Sequence, residues 1–102
     1  MDRSTRRRKI VIEEPDDEEL QRAFVTSVGE AIRHGRLEHG WTQAALAEQA
    51  GLSPNYIARL ERGELGPSLY VAHRIARALG VGVSELLAAH ESPPPAVRRA
   101  RA

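Results

Sequence analysis

Residues 42–61 read TQAALAEQAGLSPNYIARLE, and this stretch decides the fold. Leu46 and Ala50 lie four residues apart, as apolar residues do on one face of a helix, and Ile57 and Leu60 have a similar spacing further on. Between these two faces stands a glycine, at a point where the chain must reverse and where a positive φ is often required. The stretch therefore predicts two short helices joined by a tight turn.

The second of these helices has clear signals at its start. Ser53 is a good N-cap, and Pro54 is tolerated at the first helical position because its missing N–H would be unpaired there in any case. The arrangement is that of a helix-turn-helix, a motif that is most often used to read duplex DNA.

Helical periodicity continues on both sides of the motif. A first helix is predicted from Leu20 to about His39, and Asp16 or Asp17 could start it earlier because acidic side chains favour the positive end of the helix dipole. Its apolar stripe comprises Leu20, Phe24, Val28, Ala31, Ile32 and Leu37. The motif supplies helices over 43–50, capped by Thr42, and from 54 to about 62.

Two further helices complete the prediction. Ser68 can cap a fourth helix and Ser84 a fifth. The fourth helix is expected to bury a face made of Leu69, Ala72, Ala76 and Leu79. The fold class predicted is all-α, a compact five-helix bundle. Its expected core includes Val28, Ile32, Leu46, Ile57, Leu60, Ile75 and Leu79.

The chain divides into three parts by composition. Residues 1–10 carry five cations and one acid, and residues 11–20 carry six acids and no cation. We therefore describe 1–19 as a basic arm with an acidic segment, 20–90 as the helix-turn-helix domain and 91–102 as a Pro/Arg-rich tail. Both outer parts are expected to be flexible. A net charge of +1 says little against DNA binding here, because local clusters of charge set the field.

Composition excludes several classes of protein. The chain of 102 residues has no cysteine, so neither a disulfide framework nor a thiolate zinc site can form. No apolar run approaches the roughly 20 residues that span a bilayer, and the basic N-terminus does not resemble a signal peptide. We therefore expect a cytoplasmic protein with no membrane partner. His34 and Glu38 lie one turn apart, but no second histidine joins them at that spacing, so no metal site is predicted.

Taken together, the motifs resemble the Cro/CI-type, or XRE-type, helix-turn-helix family of phage and bacterial repressors over about residues 24–88. The matching elements are Ile32-Arg33, Arg36, Trp41-Thr42-Gln43, Leu46-Ala47, Ala50-Gly51-Leu52-Ser53, Ile57, Leu60-Glu61-Arg62-Gly63, Pro67-Ser68, Ile75-Ala76, Ala78-Leu79-Gly80-Val81 and Leu86-Leu87. The resemblance implies a lambda-repressor-like domain that regulates transcription by binding operator DNA. It implies no catalytic residue, no enzyme activity and no cofactor.

The resemblance also implies which residues contact DNA. Gln43 matches a position that holds a phosphate, with Thr42 beside it, and Pro54, Asn55 and Arg59 match positions that touch base edges. Asparagine can pair with adenine and arginine with guanine, whereas proline can make only apolar contact. The positions expected at backbone phosphates are Ser53, Tyr56 and Arg62. Arg36 and Glu61 match a structural ion pair.

One recognition helix covers few base pairs, so useful specificity requires a homodimer on a palindromic operator. The expected dimer interface comprises Tyr70, Arg74, Val83, Leu86 and Leu87. Glu64 departs from the family, which often has cations in that loop, and should weaken non-specific affinity slightly. Other functions stay open: the antitoxin of a toxin–antitoxin pair that holds its protein partner through the tails, a restriction–modification controller, or a protein–protein adaptor that has lost DNA binding.

Overall fold

The computed structural model describes residues 17–88, and this part of the chain is entirely helical apart from its turns. Its five helices are α1 (Asp17–Glu38), α2 (Gln43–Ala50), α3 (Pro54–Glu61), α4 (Leu69–Leu79) and α5 (Val83–Ala88). The all-α, five-helix prediction is confirmed. Of the arm over 1–19 that was expected to be flexible, residues 17–19 belong to α1. Residues 1–16 and the tail over 91–102 lie outside the described residues.

Three helices begin with the caps that the sequence predicts. The hydroxyl oxygens of Thr42, Ser53 and Ser68 each accept a hydrogen bond from the backbone N–H three residues further on, at 3.0, 3.0 and 3.1 Å. Each bond satisfies one of the N–H groups that a helix leaves unpaired at its start. These short-range bonds explain why the starts of α2, α3 and α4 agree with the prediction.

The start of the first helix agrees with one of the two predicted earlier starts, whereas the start of the last helix does not agree with its predicted cap. α1 begins at Asp17, three residues before the domain boundary placed at residue 20, and its first turn is acidic as the helix dipole favours. α5 begins at Val83, so Ser84 lies inside the helix and the prediction that it caps α5 was wrong. The side chain of Glu85 instead accepts the N–H of Gly82, with 2.8 Å between Oε1 and N.

The core lies where α3 packs on α1 and α2, where α4 packs on α2, and where α5 packs on α1 and α4. Every core residue predicted from the sequence is buried: Val28, Ile32, Leu46, Ile57, Leu60, Ile75 and Leu79. α1 crosses close to α3 at Gly29, where a Cβ atom would collide with the backbone carbonyl oxygen of Leu60. This close approach places α3 against one side of the bundle and leaves its other side in solvent.

Several apolar residues are not where the helical stripes predicted them. Leu20 and Leu37 on α1 are 47% and 51% exposed, and Leu69 on α4 is 71% exposed, so these three do not join the core. Leu86 is only 4% exposed and belongs to it. Periodicity identifies a face but does not say how far along that face the neighbouring helices reach.

Candidate nucleic-acid interface

The solvent-facing side of α3 carries the residues expected to read DNA. Asn55, Arg59 and Arg62 are exposed and follow one another at intervals of four and three residues, which places them on one side of the helix. Ser53 and Pro54 are exposed at its N-terminal end. The face therefore combines an amide, two guanidinium groups and a helix N-terminus, which are groups that bind base edges and phosphates.

Tyr56 has a different setting from the other residues expected at phosphates. Its side chain is partly buried and packs against the core, while its backbone N–H donates to Ser53 Oγ. The Ser53 hydroxyl acts as a cap, as does that of Thr42 at the start of α2. A hydroxyl that accepts an amide hydrogen can still donate its own, so both caps remain able to contact a phosphate.

Arg36 and Glu61 form a buried, bidentate ion pair between α1 and the end of α3. Arg36 Nε lies 2.7 Å from Glu61 Oε2, and Arg36 Nη2 lies 2.9 Å from Glu61 Oε1. Arg36 Nη1 also donates to the backbone oxygen of Trp41 at 2.8 Å. The hydrogen bond to Glu61 raises the pKa of Arg36, although burial opposes this shift. The pair therefore joins α1, α3 and the loop that leads into α2.

Gln43 is connected to this ion pair. Its side-chain Nε2 donates to Glu61 Oε1 at 3.0 Å, which holds the amide at the N-terminal end of α2. An amide nitrogen carries two hydrogens, so Gln43 keeps one donor for a phosphate. Glu61 thus positions a residue expected to contact DNA, a role that the sequence did not indicate because the two residues are 18 positions apart.

Glu64 pairs with two exposed arginines, Arg59 in α3 and Arg62 directly after it. Its Oε1 lies 3.2 Å from Arg59 Nε and its Oε2 lies 2.6 Å from Arg62 Nε. Hydrogen bonds from Arg62 and then from Arg59 hold the pKa of the Glu64 carboxyl below its usual value, so this group stays ionised near neutral pH. Helical spacing could not predict these pairs, because α3 ends at Glu61 and the chain turns at Gly63 with φ of 75°.

The expected dimer interface needs correction. Leu86 is in the core, and Val83 and Leu87 pack against it. Arg74 donates from Nε to the backbone oxygen of Ala50 at 2.8 Å and lies over the ring of Tyr70. Leu86 therefore serves the folded monomer. The rest of the expected interface stays a prediction, and Tyr70 is 65% exposed.

Between residues 17 and 88, no three histidine or acidic side chains come together in a group that could hold a metal ion. His34 and Glu38 contact each other at 3.1 Å on the exposed side of α1. No helix in this part of the chain is both long enough and apolar enough to cross a membrane.

Comparisons with known proteins agree with this geometry. The family model described as "Helix-turn-helix" matches residues 32–86. An HTH-type transcriptional regulator of Methanothermobacter thermautotrophicus is 55% identical over 49 residues, which is 48% of this chain and 71% of that protein. The immunity repressor protein of Bacillus phage phi105 is 43% identical over 61 residues, which is 60% of this chain and 42% of the repressor.

A solved structure has a fold similar to that of this chain. The crystal structure of the restriction-modification controller protein C.AhdI from Aeromonas hydrophila superimposes with a TM-score of 0.59 at 32% sequence identity. The superposition covers 61% of this chain and 94% of the controller. The family match extends over more than half of the chain and includes all of α2, α3 and α4. The chain therefore belongs to the XRE-type helix-turn-helix family, whose members are DNA-binding transcriptional regulators.

Proposed function

We propose that the protein regulates transcription by inserting α3 into the major groove of a palindromic operator. The observation that carries this proposal is the single exposed face of Asn55, Arg59 and Arg62 on a helix anchored from behind by Gly29 and by the Arg36–Glu61 pair. A rigidly held helix with exposed amide and guanidinium groups matches the donor and acceptor pattern of base edges in that groove. As a regulator it would act in the cytoplasm, where the DNA of a bacterium lies.

Within this proposal the residues have two kinds of task. Asn55 and Arg59 contact base edges, preferring adenine and guanine, and Pro54 makes apolar contact. The residues assigned to phosphates, which position the domain without reading sequence, are Thr42, Gln43, Ser53, Tyr56 and Arg62. We assign no cofactor and no catalytic residue.

Replacing Asn55 with alanine should remove the preference at one base position of each half-site, because its bidentate pairing is lost. The expected loss is about 1–3 kcal/mol of binding free energy for that position. Selection from random duplex DNA, followed by titration of the selected sequences, measures it. Arg62→Ala is the matched comparison and should weaken all sequences alike. A selected motif identical to that of the wild type would contradict the assignment of Asn55.

We also propose that two copies bind DNA together, with a different interface from the one predicted. Phe24 and Leu69 expose apolar surface at a groove of about 220 Å³ between α1 and α4, which Pro67 and Leu87 also line. The groove adjoins the loop that follows α3. A two-fold axis there would bring the C-terminal ends of two α3 helices near each other, which suits half-sites one helical turn apart.

Leu69→Glu should weaken this dimer. The substitution places two carboxylates near the axis, and the expected increase in the dimer dissociation constant is at least about tenfold. Sedimentation velocity over a range of concentrations measures it. Leu37→Glu, which changes another exposed leucine at the far end of α1, should leave the constant unchanged. Equal association by both variants would exclude this interface.

One specific observation favours a second function, that of a restriction–modification controller. The solved controller C.AhdI is covered over 94% of its length by this fold. Such a role uses the same DNA-binding face, so the position of the selected operator relative to restriction and modification genes would distinguish it. The antitoxin hypothesis depends on residues 1–19 or 91–102, of which only 17–19 lie in the described part of the chain.

A further inference from the structure

The carboxylate of Glu64 accepts a hydrogen bond from each of the two exposed guanidinium groups at the C-terminal end of α3. Each carboxylate oxygen receives one arginine, Oε1 from Arg59 and Oε2 from Arg62. All three side chains are about half exposed, at 43% for Glu64, 47% for Arg59 and 55% for Arg62. A carboxylate with two guanidinium partners at an exposed surface resembles a DNA phosphate in charge and in hydrogen-bonding geometry.

The backbone holds this carboxylate in place. The N–H of Glu64 donates to the carbonyl of Arg59 at 3.0 Å, and that of Gly63 donates to Leu60 at 3.0 Å. These two bonds, with a left-handed Gly63 between α3 and Glu64, form the usual six-residue ending of a helix. Gly63 also lies against Thr26 of α1, where a Cβ would come within 3.0 Å of the threonine hydroxyl. Glu64 is therefore attached to a rigid helix end, close to the arginines.

We infer that Glu64 is an affinity-limiting residue, an internal competitor that DNA phosphates and bases must displace from Arg59 and Arg62. The inference rests on the proposed function of α3. Binding then exchanges one anionic partner for another, so each arginine contributes less than a free cation would. The displaced carboxylate also stays near the phosphate backbone and repels it.

Two consequences follow for DNA binding. The cost falls on every sequence, because it is the same whether Arg59 leaves Glu64 for a base or for a phosphate. The salt dependence is also reduced, since a cation that is already neutralised releases fewer counterions from DNA. Protonation does not relieve the competition near neutral pH, because the pKa of Glu64 is lowered.

The test compares Glu64→Gln with the wild type in the full chain. Glutamine keeps the size of the side chain and the backbone bonds of Glu64 but removes the charge. Glu30→Gln is the matched control: it removes the same charge from the exposed side of α1, in a groove between α1 and α5 that no α3 residue lines. Dissociation constants are measured for the selected operator and for a random duplex at 50, 100 and 200 mM salt.

For Glu64→Gln we expect about tenfold tighter binding to both duplexes and a log–log salt slope steeper by about one per protomer. The dissociation constants of Glu30→Gln should stay within about twofold of those of the wild type, as expected for a distant screened charge. In an Arg59→Ala/Arg62→Ala background, the effect of Glu64→Gln should shrink to the smaller contribution of repulsion between the carboxylate and the phosphate backbone. Persistence of the full effect there would overturn the competition and leave only repulsion.

Two other results would also overturn the inference. If Glu64→Gln bound DNA with the same affinity as Glu30→Gln, Glu64 would not compete with DNA for the arginines. If Glu64→Gln bound more weakly than the wild type, Glu64 would hold the arginines in the orientation that DNA binding needs. The proposed function fails differently, through a wild type that selects no motif and is unaffected by Asn55→Ala. The two failures are therefore distinguishable in the same set of titrations.

Discussion

Arg36→Ala is expected to lower the free energy of unfolding by about 3–5 kcal/mol, because it leaves the charge of Glu61 buried without its main partner. The side chains of Arg36 and Glu61 are 9% and 3% exposed, and their two hydrogen bonds are shorter than 3 Å. Without Arg36 the carboxylate keeps only the neutral amide of Gln43, and the oxygen of Trp41 loses a donor. We therefore expect DNA affinity to fall as well, since Gln43 loses its fixed acceptor.

Urea denaturation followed by circular dichroism measures this loss. Arg33→Ala is the control, because Arg33 lies on the same helix one turn earlier and is exposed. Its replacement should change stability by no more than about 0.5 kcal/mol, as is usual for surface positions. A loss below about 1 kcal/mol for Arg36→Ala would place this pair in the range of exposed ion pairs and contradict its structural role.

Gly29→Ala should destabilise the protein even though alanine is the better helix former. The gain in helix propensity is about 1 kcal/mol, whereas overpacking of a closely packed site costs typically about 1–3 kcal/mol and sometimes more. We expect the cost to prevail, with a net loss of up to about 2 kcal/mol, because the new Cβ would meet the backbone carbonyl of Leu60 and not a side chain that can rotate away. The displaced element would be α3, so DNA binding should weaken in parallel.

Gly35→Ala is the matched control within α1. Its Cβ would lie 3.0 Å from Cδ1 of Leu79, which is the far end of a flexible side chain. This variant should therefore be neutral or more stable, by up to about 1 kcal/mol from helix propensity. Thermal unfolding of the two variants measures the difference. Equal stability changes in both would mean that α1 and α3 do not require the close approach.

The features that depend on neighbours in sequence could be predicted. Thr42, Ser53 and Ser68 were identified as caps because a hydroxyl three residues before a backbone N–H needs no tertiary contact to reach it. The buried residues of α2 and α3 followed from helical periodicity for the same reason. The expected pair of Arg36 and Glu61 came from the resemblance to a family, since 25 positions separate the two residues.

The limits of the sequence appear where a residue's role depends on what lies across from it. From the sequence, Gly29 is only a residue of low helix propensity inside α1. The structure shows that the backbone of Leu60 packs directly against it. Leu69 matches a core residue by period, yet it lies 71% exposed because no helix between residues 17 and 88 covers the start of α4. Leu86 is buried because α5 packs on α1 and α4, and it cannot serve the interface predicted for it.

The sequence by itself determined the helices, their caps and the order of the motif, because hydrogen bonds and periodicity act over three or four residues. Only the tertiary structure decided that Glu61 holds Gln43 and that Glu64 occupies Arg59 and Arg62. These contacts join residues on different helices or across a turn, where the distance between side chains is set by how the elements pack. For this reason the exposed face of α3 that we propose to bind DNA could be predicted from the sequence, and the partners of its charged groups could not.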